Sequence, residues 1–197
     1  MGRQLPFDTF VNRKILRWEA RAKEWNCSFI DAIGVSPIEE MIYFWNGYKR
    51  MRSHHLQESL DNLAWSESPA NHHWAKEDLN EKAILATLRA VCLRTAGSTA
   101  EAKEILQKEV IAHDAAKFAG TNNDDWMPPV ARYEMAAAVW KEAEADGDPR
   151  AHQDLLAQCA KWLEASSGWG GYVLDARLVP PFLDCPTITN SVCVELV

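Results

Sequence analysis

The stretch that most constrains this chain is a helical hairpin, Ala83 to Ile111, reading AILATLRAVCLRTAGSTAEAKEILQKEVI. Its first half places Ile84, Leu85, Leu88, Val91 and Cys92 at steps of three and four, which makes one apolar stripe on a helix. Gly97 ends that helix, because glycine takes a left-handed position without steric cost. Ser98 or Thr99 caps the next helix, whose inner face is Ala102, Ile105, Leu106 and Val110. Ala90 and Ala102, twelve apart across the turn, allow two helix backbones to approach closely. Such a hairpin cannot bury its apolar face alone, so further helices must stack on it.

The chain has 197 residues, enough for one domain with a sizeable core. Its hydrophobic content of 47% and charged content of 25% are those of a globular protein in water. The net charge of −7 argues against nucleic acid or an anionic membrane as the main partner, since those contacts use basic patches. Cys27, Cys92, Cys159, Cys185 and Cys193 show no CxxC spacing, and MGRQLPFDTF lacks the apolar core of a signal peptide, so free thiols in a reducing setting are expected. Pro6 stands where a myristoylation signal needs a hydroxyl residue. No apolar run approaches the ~20 residues of a membrane span, so membrane contact is expected to be peripheral at most.

Taken in order, the chain predicts a helix over 8–25 with a stripe of Val11, Ile15, Trp18, Ala22 and Trp25, and a polar opposite face carrying Arg13, Lys14, Arg17, Glu19, Arg21, Lys23 and Glu24. A connector broken at Gly34 leads to Ser36-Pro37-Ile38-Glu39, a helix-start signal. A helix over 37–52, apolar nearly all round, and another over 53–65 follow. After the central hairpin, 112–127 reads as loop. Pro128-Pro129 opens a helix to about Ala145, with Tyr133, Ala136, Ala137 and Trp140 inward. Asp146-Gly147-Asp148-Pro149 is a stop and restart, and a last helix runs to about Ser166.

Hairpins at about 37–65, 83–112 and 129–166 thus stand in a row, with small residues Gly47, Ala90 and Ala136 at separations of 43 and 46. Tetratricopeptide units repeat every ~34 residues as helix–turn–helix with small residues at the crossing. The added length falls in 66–76 and 112–127. The expected fold is all-α, an α-α superhelix of tetratricopeptide-like hairpins over 7–177, followed by a divergent, poorly ordered tail, 178–197.

Five blocks in order, RKILRWEARAKEW (Arg13–Trp25), SPIEEMIYFWNGYKRM (Ser36–Met51), AVCLRTAG with EAKEILQKEVIAHD (Ala90–Asp114), DDWMPPVARYEMA (Asp124–Ala136) and WGGYVLDAR (Trp169–Arg177), carry a family resemblance. The chain resembles the carboxy-terminal part of the fungal inclusion-body clearance (mitochondrial outer-membrane) proteins and the animal tetratricopeptide-repeat-39 proteins, from about Phe7 to Arg177. The resemblance implies a non-enzymatic helical-repeat scaffold without catalytic residues. Its partners would be lipid-droplet or inclusion-associated proteins, met after folding stress. Its places would be the cytoplasm, the mitochondrial outer membrane or lipid droplets, and the nucleus. Family members are several hundred residues long, and after Arg177 the tail LVPPFLDCPTITNSVCVELV departs from the family ending.

Other chemistry finds little support in the residues. His54-His55 and His72-His73 point apart on a helix and lack a carboxylate or cysteine to complete a ligand set, so they read as surface residues and no metal is expected. Cys92 and Cys159 fall on core faces without a neighbouring histidine, and no cofactor motif is visible. Asp124-Asp125 lacks the alternation of a calcium loop and reads as a solvated loop. Most of the nine tryptophans, among them Trp18, Trp45, Trp140 and Trp162, fall on helix stripes and are expected in the core.

The resemblance places a partner-binding surface on the concave face of the stack, with Thr87, Val91 and Arg94 from the central hairpin and Tyr133, Trp140 and Lys141 from the third. Alternatives to the scaffold are a lipid-binding regulator with an apolar interior and a truncated fragment without function. The unpartnered stripe Val11–Trp25 predicts self-association or poor solubility of the isolated chain.

Overall fold

A computed structural model describes residues 6–120, 123–145 and 147–169. The predicted tail, 178–197, and most of the block Trp169–Arg177 lie outside the described residues. Seven α-helices and no strand are present among the described residues. They are α1 (Pro6–Trp25), α2 (Pro37–Phe44), α3 (Ser53–Ala64), α4 (Leu79–Ala96), α5 (Thr99–Leu106), α6 (Met127–Ala145) and α7 (Gln153–Ser167).

The central hairpin forms as its spacing predicts, with one addition at its start. Asp78 caps α4 by accepting a hydrogen bond from the Glu81 N–H at 2.9 Å, so the helix begins four residues before Ala83. Gly97, at φ 100°, ends it, and the Gly97 and Ser98 N–H groups close onto the Arg94 and Leu93 carbonyls. After α5 the chain widens by one helical turn, Gln107–Ile111, that keeps Val110 in the core.

The helix expected over 37–52 is interrupted. Pro37 opens α2 as predicted, but Asn46 adopts a left-handed φ of 53° and the Gly47 N–H folds back onto the Ile42 carbonyl at 2.7 Å. A side chain at Gly47 would sit 3.0 Å from both Ile42 O and Ile42 Cγ2, so glycine permits this return. The chain then drives Tyr48 into the core, where its hydroxyl donates to Glu39 Oε2 at 2.8 Å. Gly47 thus serves a turn, not a helix crossing.

The helices covered on several sides are α4 and α6. Ile84, Leu85, Leu88, Ala90 and Val91 of α4 pack with residues of α1, α2, α3, α5 and the start of α6 in one core. Trp126 lies in it, stacked on Tyr43 with ring centroids 5.8 Å apart and edge-on to Phe44 at 5.3 Å. Burial of each large apolar side chain contributes about 1.5–3 kcal/mol. A second core joins α6 to α7 through Ala136, Val139, Trp140, Cys159 and Leu163. Ser166 donates to the Pro129 carbonyl at 2.9 Å and fixes the two helices antiparallel. Alanine at 136 lets α7 approach closely, and this is the most extensive helix pair among the described residues. Stacked antiparallel helices around α4 and α6 make this an α-α, tetratricopeptide-like array.

Helix α1 docks with part of its apolar stripe and with three cations expected on its polar face. Lys14, Arg17 and Arg21 are turned inward and buried, while Ile15 is 36% and Leu16 62% exposed. Of the stripe, Trp18 is buried and Val11, Ala22 and Trp25 are half-buried. The open apolar surface is therefore smaller than the stripe implies, and it includes Leu16 from outside it. Among the described residues no helix is long and apolar enough to cross a membrane.

Candidate functional site

The residues expected on a concave face separate into two groups. Thr87 and Val91 are buried in α4, and the Thr87 hydroxyl donates to the Ala83 carbonyl of its own helix at 2.8 Å. They pack in the core and line no open surface. Trp140 is also buried, its Nε1–H donating to Glu144 Oε1 at 2.9 Å. The reason is the same for all three: α4 and α6 are enclosed by neighbours on nearly every side, so even the face that a solenoid would open is filled.

Arg94, Tyr133 and Lys141 reach the surface to different degrees. Arg94 Nε donates to Glu134 Oε2 at 2.8 Å, and Tyr43 donates to Glu134 Oε1 at 3.2 Å, so Glu134 ties α2, α4 and α6 together. Burial, then the Glu134 carboxylate, pushes the Tyr43 and Tyr133 hydroxyls above their ordinary range, and both stay protonated. Tyr133 is half-buried beside α7. Lys141 is exposed and pairs with Glu144 at 2.7 Å. Of the predicted surface, Arg94 and Tyr133 are therefore half-buried and Lys141 is exposed.

The strongest electrostatic feature lies elsewhere, where α1 meets the start of α4. Lys14 Nζ lies 2.6 Å from Glu40 Oε1 and 2.9 Å from Asp124 Oδ2. Arg17 contacts Asp78 at 3.0 Å, Glu81 at 3.4 Å and Asp124 at 3.5 Å, and donates to Asn80 Oδ1 at 2.5 Å. Arg21 Nη2 lies 2.7 Å from Glu77 Oε2 and 2.9 Å from Glu81 Oε2. Asn80 donates to the Asp124 carbonyl at 2.7 Å and accepts from the Asp124 N–H at 3.2 Å, which holds the loop before α6 against α4. Asp124, expected in a solvated loop, is thus 3% exposed.

Charges that are buried must be paired or neutralised. Burial and Asp124 push the Glu40 carboxyl up to about 7, against the pull of Lys14. Burial and Glu81 push Glu77 up to about 8. Burial would raise Glu81 too, but Lys14, Arg21 and Arg17 overcome it and hold that carboxyl down to about 2. The Lys14 ammonium loses solvation on burial, yet Asp124, Glu40 and Glu81 hold its proton above the ordinary lysine range.

The remaining candidates have plain settings. His54 and His55 are exposed, with ring centroids 3.9 Å apart, and His73 stacks on Trp25. Burial pushes the Cys92 thiol up to about 12, so it is not a thiolate nucleophile. Cys159 is buried and its Sγ donates to the Ala136 carbonyl at 3.5 Å. Among the described residues no group of three His, Cys, Asp or Glu side chains is placed to hold a metal ion. What these arrangements do is fix helices relative to each other.

Comparison with known proteins gives the architecture its relatives. Residues 1–96 match the family model described as Iml2/Tetratricopeptide repeat protein 39. The chain is 50% identical over 192 residues to the inclusion body clearance protein iml2 of Aspergillus terreus, covering 90% of this chain and 28% of that protein. It is 46% identical over 195 residues to the protein of that name in Aspergillus niger, with coverage of 90% and 28%. For Neosartorya fischeri the values are 45% over 200 residues, with coverage of 90% and 28%. No solved structure matches the chain. The chain spans little more than a quarter of these relatives' length, 28%. Over most of its length the chain is thus similar to one region of the Iml2/tetratricopeptide repeat protein 39 proteins.

Proposed function

We propose that this chain is a helical-repeat, protein-binding region of a scaffold for inclusion-body clearance. It grips other proteins and carries out no bond-making chemistry of its own. The observation that carries this reading is the 50% identity, over 90% of the chain, to a protein named for inclusion body clearance. The tightly braced helices support it, since a binding edge keeps its shape only when the repeats beneath it are fixed. Its partners are lipid-droplet or inclusion-associated proteins, and it works in the cytoplasm, at lipid droplets or the mitochondrial outer membrane, and in the nucleus. The edge formed by Arg94, Tyr133 and Lys141 is the contact surface in this reading.

The test uses affinity purification from fungal cells after folding stress, with the full-length protein as bait. Enrichment of lipid-droplet or inclusion proteins, reduced several-fold by Lys141→Glu, is the expected result. Equal recovery with and without stress, with no such proteins above background, would contradict the reading.

A further inference from the structure

Helix α1 is joined to the rest of the fold through an excess of buried acid. Three cations, Lys14, Arg17 and Arg21, face five carboxylates, Glu40 of α2, Glu77 and Asp78 before α4, Glu81 in α4 and Asp124 before α6. All but Asp78 have side chains almost wholly removed from water.

The carboxylates converge in pairs on single nitrogens. Glu40 Oε1 and Asp124 Oδ2 share Lys14 Nζ, at 2.6 and 2.9 Å. Glu77 Oε2 and Glu81 Oε2 share Arg21 Nη2, at 2.7 and 2.9 Å, while Glu77 Oε1 accepts from Arg21 Nη1 at 3.0 Å. Asp124 Oδ2 and Glu77 Oε2 are close to those nitrogens but off the hydrogen-bonding angle, and Glu40 Oε2 has no hydrogen-bond partner among the described residues. Two carboxylates sharing one cation in a dry site cannot both remain ionised cheaply, so a proton takes the place of the missing cation.

We propose that the seat of α1 is a proton-linked joint: the carboxyls that receive its basic face keep protons near neutral pH, and losing them loosens the helix. The groups surrounding Glu40 are Lys14, Asp124 and Glu81, and those surrounding Glu77 are Glu81, Arg21, Arg17 and Asp78. Farther along α1, Lys76 and His73 lie against Trp25. Folded Glu40 and Glu77 hold protons more tightly than the unfolded chain does, so their contribution is complete only below the ordinary glutamate value of 4.5 and is lost progressively as pH rises from there through about 7 to 8. Glu81 works in the opposite sense, but only as pH falls towards about 2, outside this window. Release of α1 would uncover Phe10, Trp18 and the acidic seat, changing which partners the repeat can hold.

Hydrogen exchange of the whole chain, followed by mass spectrometry and corrected for the intrinsic pH dependence of exchange, tests the joint. Protection of α1 is expected to fall at least about tenfold between pH 6 and pH 8.5, while α6, which carries no part of the cluster, holds its protection. The double variant Glu40→Gln and Glu77→Gln, which imitates the protonated acids, is expected to flatten that dependence. Protection of α1 that stays constant, or rises with pH, overturns the proposal from the unmodified chain alone. A folded double variant that keeps the original pH dependence overturns it equally.

Discussion

The backbone of Gly34 passes so close to Glu77 that a methyl group on its Cα would overlap Oε1 of that carboxylate and lie 2.7 Å from Glu81 Cγ. The connector between α1 and α2 is thereby pressed onto the two acids that hold Arg21. The Val35 N–H next door donates to Glu81 Oε1 at 3.0 Å, so the connector takes part in the cluster that it covers.

Replacing Gly34 with alanine forces Glu77 away from Arg21 or lifts the connector from α4. Either response opens a close-packed contact, which typically costs 1–3 kcal/mol, about the amount we expect for Gly34→Ala. Urea unfolding measures it; a change within about 0.5 kcal/mol would show that the contact yields freely.

Gly97 makes a contrasting case. A Cβ there meets nothing within 4 Å, but the residue sits at φ 100°. Gly97→Ala is therefore expected to destabilise through backbone strain alone, by about 1 kcal/mol, without altering the pH response of the chain. Thermal unfolding at two pH values checks both parts.

Arg94 and Lys141 both pair with glutamates, yet their loss should differ greatly. Glu134, the partner of Arg94, is 2% exposed, so Arg94→Ala leaves a buried carboxylate without its cation and should cost about 3 kcal/mol. Lys141 is paired at the surface, and Lys141→Ala should stay within about 0.5 kcal/mol. Denaturant titration of the two variants side by side makes the comparison, and the same titration of Lys141→Glu checks that it keeps the fold.

Lys14→Met removes the cation that Glu40 and Asp124 share. A loss of about 3–5 kcal/mol is expected at pH 8, where Glu40 ionises readily in the unfolded chain and resists burial. At pH 5.5 a proton can neutralise Glu40, so the same variant should lose distinctly less. Equal losses at the two pH values would show that Glu40 does not take up the proton.

Local signals were readable in the sequence wherever neighbouring residues decided the outcome. The left-handed stop at Gly97, the proline starts of α2 and α6, and the core stripe from Ile84 to Cys92 all follow from chemistry within a few residues. Asn46-Gly47 was readable too, as a turn dipeptide, but the continuous apolar run through Tyr48 masks it. The docking face of α1 was not. Lys14, Arg17 and Arg21 recur at three and four residues, the same period as the apolar stripe beside them, and isolated cations on a helix ordinarily face water. Their partners lie far along the chain, 26 residues from Lys14 to Glu40 and 63 from Arg17 to Asn80, so only the tertiary fold supplies the compensation. The basic triad on one face and the acidic run Glu77-Asp78 with Glu81 were the available signal. Thr87, Val91 and Trp140 were misplaced for a related reason, since enclosure of α4 and α6 by neighbours leaves no mark on their own periodicity.

The inward turn of α1's basic face is the claim on which the description of this fold most depends, and acylation of lysines in the native chain tests it most directly. Lys14 is 4% exposed, whereas Lys23 on the same helix faces solvent. Brief treatment with an amine-reactive ester at neutral pH, read by mass spectrometry, should label Lys23 and spare Lys14, with both labelled once the chain is unfolded. Equal labelling of the two lysines in the native chain would contradict the account.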